Sequence, residues 1–570
     1  MNRACYRFGL SSAVVALALL LDGCDPKKPA TTPGSQGPSV AKDAEATALA
    51  VLESHKDANH CRTALQQLDN LDSTRTRPSL SDESRVDLTA FLRLTPTEAA
   101  DIAQATFSQT DAAYLEECLL IRSAVRSLRI DARSPLERGR IGFDWACRMV
   151  YVDDRVPWPA NPWTTLQAGS GIALSRAYVA LAVWQQLGLD GCLIGPPALK
   201  TTLSMSAEEP GAPPEYAPVR ACGLKVGRDV FLFDHVAGRA IPAADGKGIL
   251  TLAEAKALTD GIKGIAKADE VKTWQPFLAP TLSSLAPRMD WLEKLNPGGV
   301  GVNLFVDVKA LREQFTADFP NQPVDGWNPD GDLHAATRVL ARYASEEATT
   351  RGKISLRDAH RVRMIPMEQI PLPILIGEAA GHIRMQFGLG FESLRYAPGT
   401  VRDSLLRGHF REATSGLEDL KKDLDNARTR MEQDKNLQKD FEKWADEFQS
   451  LSARHIRARE RDPASLPAAI QDLERFRVHP KNRDIERAFV FGHAARPLGA
   501  EVAYLMAACV HERAERAQLD GSERAAEHWS NARFWWGKYL DASAQAQSPY
   551  PARETHARAL LARCQQFAPK

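Results

Sequence analysis

The sequence has no surplus charge of either sign: 72 Lys and Arg balance 72 Asp and Glu across 570 residues. Without a basic excess or a polybasic tract, the electrostatic footprint of nucleic-acid binding is missing, and so is direct attraction to anionic lipid. No apolar run near the chain's start approaches the ~20 residues a spanning helix needs. Cysteine is sparse, nine in all, and no two stand as CxxC, which excludes a zinc ribbon or a thioredoxin-type site. HExxH, GxxxxGK[ST] and GxSxG are absent as well, and with them zincin, P-loop and α/β-hydrolase chemistry. Histidines such as His382, His493 and His511 stand isolated, so no metal site is expected. Hydrophobic content of 44% and charged content of 25% are ordinary for globular chains. The length calls for several domains.

What the chain does hold begins with a targeting segment. Arg3 and Arg7 precede the nine-residue apolar run Ala13–Leu21, which closes on Leu21-Asp22-Gly23-Cys24. A basic start and a short apolar core make a signal peptide. The last four residues resemble a bacterial lipobox, with Asp22 as the departure. Residues 1–24 are therefore read as a lipoprotein signal, with lipidated Cys24 anchoring the chain in the cell membrane, facing the periplasm or exterior. An ordinary signal peptide and an uncleaved anchor are the plainer alternatives. Residues 25–42, rich in Pro, Thr, Gly and Ser, read as a flexible tether. Export permits disulfides, but the cysteines beyond Cys24 number seven, so at least one stays unpaired within the chain. Cys192 and Cys222 fall on two expected strands, where a bridge and two buried thiols are both open.

The pattern over 43–133 is helical, with Leu65, Leu68, Leu88, Leu92, Leu115, Leu119 and Ile121 separated by polar residues. Thr95-Pro96 and Ser134-Pro135 are helix starts, because proline is tolerated in a first turn. Ala173, Ala177, Ala180, Leu181, Trp184 and Leu187 recur at helical spacing behind Gly169-Ser170-Gly171, with Ser170 as the expected N-cap. Cys192–Gly195 reads as a strand. Val219–Val226 and Val230–Asp234 read as a hairpin turning at Gly227-Arg228-Asp229, short of a strict two-residue signal. Residues 266–345 read as a smaller α/β piece with a buried strand at Val300–Val306 and Asp307 as a helix cap. Pro366, Pro371 and Pro373 then break regular structure.

Residues 366–570 read as all-helical. No Gly or Pro interrupts 417–462, and Leu417, Leu420, Leu424, Ala427, Met431, Phe441, Ala445 and Phe448 approach a heptad seam. Asp434 and Gln438 interrupt it, leaving one long helix or a helical hairpin. The charge-rich run Lys421–Lys443 is a solvated face. Trp529, Ala532, Trp536 and Leu540 form a stripe read as core. Leu405–Ala413 resembles a tetratricopeptide-type helix hairpin, but no 34-residue period is sustained. A repeat-like domain and a bundle both remain open.

Residues from about 135 to 234 resemble the transglutaminase-like superfamily of papain-related cysteine acyltransferases and hydrolases. The residues that carry the likeness are the turn and helix Gly171-Ile172-Ala173 with Ala177, the helix end Leu187-Gly188-Leu189-Asp190, and the hairpin ending in Asp234. The resemblance implies an α+β fold, a helix packed with an antiparallel sheet. It also implies a cysteine at a helix N-terminus, a histidine on the next strand and an acid that orients it. Here Ala173 stands at the nucleophile position. The stretch where the histidine belongs contains Arg220 and no imidazole, and Asp234 takes the acid's place. The plainer reading of Asp234 is a turn or capping aspartate, and of His235 a surface or hydrogen-bonded histidine.

The expected architecture is thus a transglutaminase-like domain over 134–265, with a helical N-terminal region, the small α/β insert and the helical C-terminal domain. The implied cleft lies around Gly169, Ser170, Gly171, Ala173, Arg220, Cys222 and Asp234. The expected task is protein binding or scaffolding without catalysis, metal or cofactor. The competing expectation is a cell-envelope cysteine peptidase or acyltransferase whose nucleophile has moved to Ser170, Ser175, Cys192 or Cys222.

Overall fold

The computed structural model describes residues 58–71, 79–153, 159–197, 219–295, 301–319, 323–329, 398–545 and 551–568. The signal segment with Cys24, the tether, most of the loop after Pro196, His382 and the prolines at 366, 371 and 373 lie outside the described residues. The described chain mixes helix and sheet and is mostly helical. It divides into two compact units, one holding the described residues up to 329 and the other nearly all of those from 398 onward.

In the first unit the helix starts follow from local chemistry. Helices α1 (Ala58–Leu71) and α2 (Asp82–Leu92) precede α3 (Pro96–Ala103), α4 (Gln109–Leu128) and α5 (Pro135–Met149). At α3, α4 and α5 a Thr or Ser hydroxyl accepts the amide three residues on. The Glu or Asp at that position accepts the cap's own amide, a reciprocal box that satisfies two otherwise orphan donors. Pro96 and Pro135 occupy the first helical turn, where their missing N–H costs nothing. After β1 (Tyr151–Val152), Asn161 caps α6 (Pro162–Ala168) and Gly169 ends it at φ 74°.

Strand β2 (Ser170–Gly171) pairs in parallel with β1, and helix α7 (Ala173–Gln186) follows. This corrects the expected cap. Ile172, with no side-chain hydrogen bond, occupies the N-cap position, because Ser170 is held in the bridge opposite Tyr151.

The main sheet contains β3 (Asp190–Gly195), β4 (Ala221–Val226), β5 (Asp229–Asp234), β6 (Arg239–Ala240), β7 (Gln275–Leu278) and β8 (Asp325–Gly326), in the order β6-β5-β4-β3-β7-β8. Every neighbour is antiparallel except β7 and β8. Val226 pairs with Asp229, so the β4–β5 turn is the two residues Gly227-Arg228 after all. Gly227 takes the left-handed position at φ 62°.

Helices α8 (Leu252–Ala257), α9 (Ala268–Thr273), α10 (Pro287–Leu295) and α11 (Val308–Asp318) complete the unit. Cys192, Ile194, Ala221, Val230 and Leu232 pack on one sheet face with Ile102, Leu252, Val271 and Phe315. On the opposite face Phe143 and Trp184 close on Phe233, with ring centroids 4.9 and 5.3 Å away. Gly139 allows α5 to approach this face: a Cβ there would stand 2.1 Å from Leu224. The sheet is therefore covered by helices on both sides.

Residues 266–319 join this architecture. β7 pairs with β3, and α10 packs with α1 and α4 around Leu65, Leu115, Met289 and Leu292. The strand expected at 300–306 does not form where the chain is described. Leu304 and Phe305 give their amides to the Glu293 carboxylate, and Val306 gives its amide to Ser284, so these donors are not in a ladder.

The second unit is all-helical where described. It contains α12 (Pro398–Leu406), α13 (Phe410–Gln433), α14 (Leu437–Arg461), α15 (Leu466–Val478), α16 (Pro480–Leu519), α17 (Ala525–Gln545) and α18 (Pro551–Phe567). The helix breaks at 434–436, beside the expected interruption, and both α13 and α14 pack on the 40-residue α16. Leu417, Leu420, Leu424 and Ala427 form the buried seam of α13, while Lys421–Asp425 and Arg428–Glu432 pair on its exposed side. Trp529, Ala532 and Trp536 are buried, with Tyr539 in place of Leu540 as the next core position.

Candidate functional site

At the tip of α7 the partly buried Ala173 methyl occupies the position where the resemblance places a nucleophile. Ser175, two residues on, is fully buried and its Oγ accepts the amide of Ala160 at 2.9 Å. Arg176 is also buried. Its Nε donates to the carbonyl of Val150 at 2.9 Å and its Nη1 to those of His235 and Val236 at 3.1 and 3.2 Å. This arginine, which sequence reasoning left without a role, ties the helix start to the turn after β5.

Asp234 caps that turn: its Oδ1 accepts the amides of Val236 and Ala237 at 2.9 and 2.8 Å. Arg220, at the expected histidine position, pairs through Nε with Glu270 of α9 at 2.5 Å. The histidine beside Asp234 departs from its expectation. His235 is 1% exposed and its Nδ1 has no hydrogen-bond partner. Burial, with the positive Arg176 nearby, pushes its pKa down to about 3.

Burial works against the thiols near this site as nucleophiles. Leu193 stands opposite Cys222, and Cys192 opposite Gly223. Partners across a ladder share a face and neighbours along a strand alternate, so Cys192 and Cys222 point to opposite sides of the sheet and form no bridge. All seven described cysteines are buried, and no disulfide joins any two of them. Burial raises the thiols of Cys147, Cys192 and Cys222, that of Cys147 to about 12, away from the thiolate a nucleophile needs.

A sulfur and an imidazole do meet in the helical unit, on residues whose separation along the chain hides the contact from sequence reading. Cys564 Sγ lies 3.4 Å from His511 Nδ1, which also accepts the Trp536 indole N–H at 3.2 Å. An indole N–H only donates, so Nδ1 carries the lone pair and the proton sits on Nε2. Nε2 is 3.3 Å from Glu515 but out of hydrogen-bond alignment. Glu515 is gripped in turn by Arg563. The order thiol, imidazole, carboxylate is that of a cysteine nucleophile, yet Cys564 is fully buried. Burial, with Glu515 adding to it, pushes the thiol up to about 12. The set is packed as core.

A cavity of about 790 Å³ lies elsewhere in the first unit. One wall is α3 and α4, with Glu98, Asp101, Tyr114 and Glu117. A second is the side of α7 bearing Tyr178, Leu181 and Gln185, with the turn into β3 at Asp190. The third comes from 278–283, Glu293 and 303–311. None of Gly169, Ser170, Gly171, Ala173, Arg220, Cys222 and Asp234 lines it.

Its walls are fixed by hydrogen bonds. The Tyr114 hydroxyl donates to the Leu304 carbonyl at 3.0 Å and accepts from Gln185 at 2.8 Å, and Trp327 donates to the Tyr178 hydroxyl at 2.7 Å. Among the described residues no group of three His, Cys, Asp or Glu side chains is placed to hold a metal, and no helix is long and apolar enough to cross a membrane. No protein-family model, curated protein or solved structure matches the chain.

Proposed function

We propose that this chain is a non-catalytic, transglutaminase-like lipoprotein of the cell envelope that binds or scaffolds protein partners. In this reading Cys24 carries the lipid that anchors it, and the folded part faces the periplasm or exterior. One observation carries the loss of chemistry. The three positions of the implied triad hold a methyl group, a guanidinium paired with Glu270, and a carboxylate engaged by two backbone amides. A methyl group and an arginine guanidinium neither take a proton nor attack a carbonyl, and the carboxylate is left with no imidazole to orient. Core packing does not depend on a triad, so a fold of this kind keeps its binding surfaces after its chemistry is gone.

The competing reading, a cysteine peptidase or acyltransferase with a relocated nucleophile, has one observation in its favour, the contact between Cys564 and His511. The test is to offer the full-length protein fluorogenic peptides, acyl-transfer substrates and an alkylating thiol probe. Neither turnover nor stoichiometric labelling of the folded protein is expected. Turnover that vanishes in Cys192→Ala, Cys222→Ala or Cys564→Ala would replace the binding reading with the enzyme.

A further inference from the structure

We infer that the cavity between α3–α4, α7 and the 303–311 segment is the binding site for a short extended peptide segment carrying Lys or Arg side chains. The inference rests on the binding reading above and names the chemistry of the partner. The cavity itself is the first observation. At about 790 Å³ it falls within the range of sites that enclose a small ligand or a few residues of chain. Its apolar and aromatic surface comes from Tyr114, Tyr178, Leu181, Phe305 and Leu311. The bonds that fix Tyr114, Tyr178 and Gln185 make those walls pre-formed, which lowers the ordering cost of binding.

The second observation is the sign of the charge. Glu98, Asp101, Glu117, Asp190, Glu293 and Asp307 all line the cavity, and among the described residues no Lys, Arg or His does. The chain as a whole is neutral, so this is a local segregation of charge. Arg288 is sealed behind the wall on Asp111, reaching the Asp101 carboxylate only at 3.5 Å, and Lys225 pairs with Asp318 at 2.7 Å. Like charges in one concave, low-dielectric surface focus a potential that draws the opposite charge. Partial burial holds the carboxyl of Asp101 above its ordinary range, so a cation placed beside it offsets a desolvation cost.

A lysine or arginine side chain suits both features at once. Its apolar stem covers aromatic and aliphatic wall while its charged head meets carboxylate. The carboxylates come from three separate stretches, 98–117, 190 and 293–307, so a main chain carrying more than one such side chain meets several of them where a compact ion meets one, and peptide is the chemistry a scaffolding protein would meet.

The test uses the full-length protein and two fluorescein-labelled hexapeptides, one alternating Lys with Leu and one alternating Glu with Leu, read by fluorescence anisotropy. Saturable one-to-one binding of the basic peptide alone is expected, weakening as salt is raised. Thr97→Lys combined with Gln314→Lys adds two cations at exposed lining positions whose side chains make no structural bond in the fold. It should weaken the basic peptide by about tenfold or more with thermal stability unchanged.

Equal binding of the two peptides, no binding of the basic one, or indifference to the double variant would overturn the assignment. Displacement by spermidine at the same concentration as unlabelled peptide would show that a free polyamine suffices, and would overturn the peptide occupant. Cleavage of the bound peptide would sink the non-catalytic reading and leave the site standing. Absence of both binding and cleavage would sink the site alone.

Discussion

Arg288 and Asp111 lock together across 177 residues of chain through Nε–Oδ2 at 2.6 Å and Nη2–Oδ1 at 3.1 Å, with both side chains sealed from solvent. The same guanidinium donates to the carbonyls of Asp101 and Gln104 at 2.6 and 3.0 Å. It thereby joins α10 to the end of α3 and the start of α4. Losing one partner strands a buried charge, at a typical cost of about 3–5 kcal/mol. Arg288→Met should lower unfolding free energy by that order in denaturant titration. Arg288→Met combined with Asp111→Leu should lose clearly less than the two single variants added together. Additive losses would mean the pair is not coupled.

His235 sets a pH dependence. Its folded pKa of about 3 lies below the ordinary histidine value of about 6.5. The unfolded chain therefore binds the extra proton, and stability falls as pH drops through about 6.5 toward 3. At pH 5 this amounts to about 2 kcal/mol relative to pH 7. His235→Gln should flatten that part of the stability profile. An unchanged slope in the variant would show that other groups govern it.

Asp234 separates two roles by a conservative change. As a turn cap it needs only an oxygen for the amides of Val236 and Ala237. Asp234→Asn keeps that oxygen and should be near neutral, while Asp234→Ala should cost about 1–2 kcal/mol. A large loss in the Asn variant would mean that the negative charge itself is used.

Alkylation rates report on Cys564. A thiol raised to about 12 and fully buried should react in the native protein only as fast as the unit opens, and much faster in denaturant. Rapid native modification that His511→Ala abolishes would instead mark an activated thiolate.

The helix starts were legible because their chemistry is local. Thr95-Pro96 and Ser134-Pro135 carry cap, proline and box within four residues. The cap at α7 misled for the same reason in reverse. Ser170 has the right side chain, but its backbone is engaged with Tyr151, and that pairing spans 19 residues. Sheet parity was illegible too: Cys192 and Cys222 both lie on strands, and only the register places them back to back. The alanine at 173 could be read from one position. The acidic cavity could not, because its walls come from 97–117, 161–191 and 278–329, segments with no shared pattern. His511 and Cys564 likewise sit 53 residues apart on separate helices.

The main sheet begins and ends in stubs, with β6 and β8 each only two residues long beside four strands of four to six. A full-length border strand would present a ladder of unsatisfied amides and carbonyls to any second molecule, the template on which chains aggregate. Here the border offers too few groups to zip onto. Crowded copies of this chain are thus discouraged from joining sheet to sheet, whatever else brings them together.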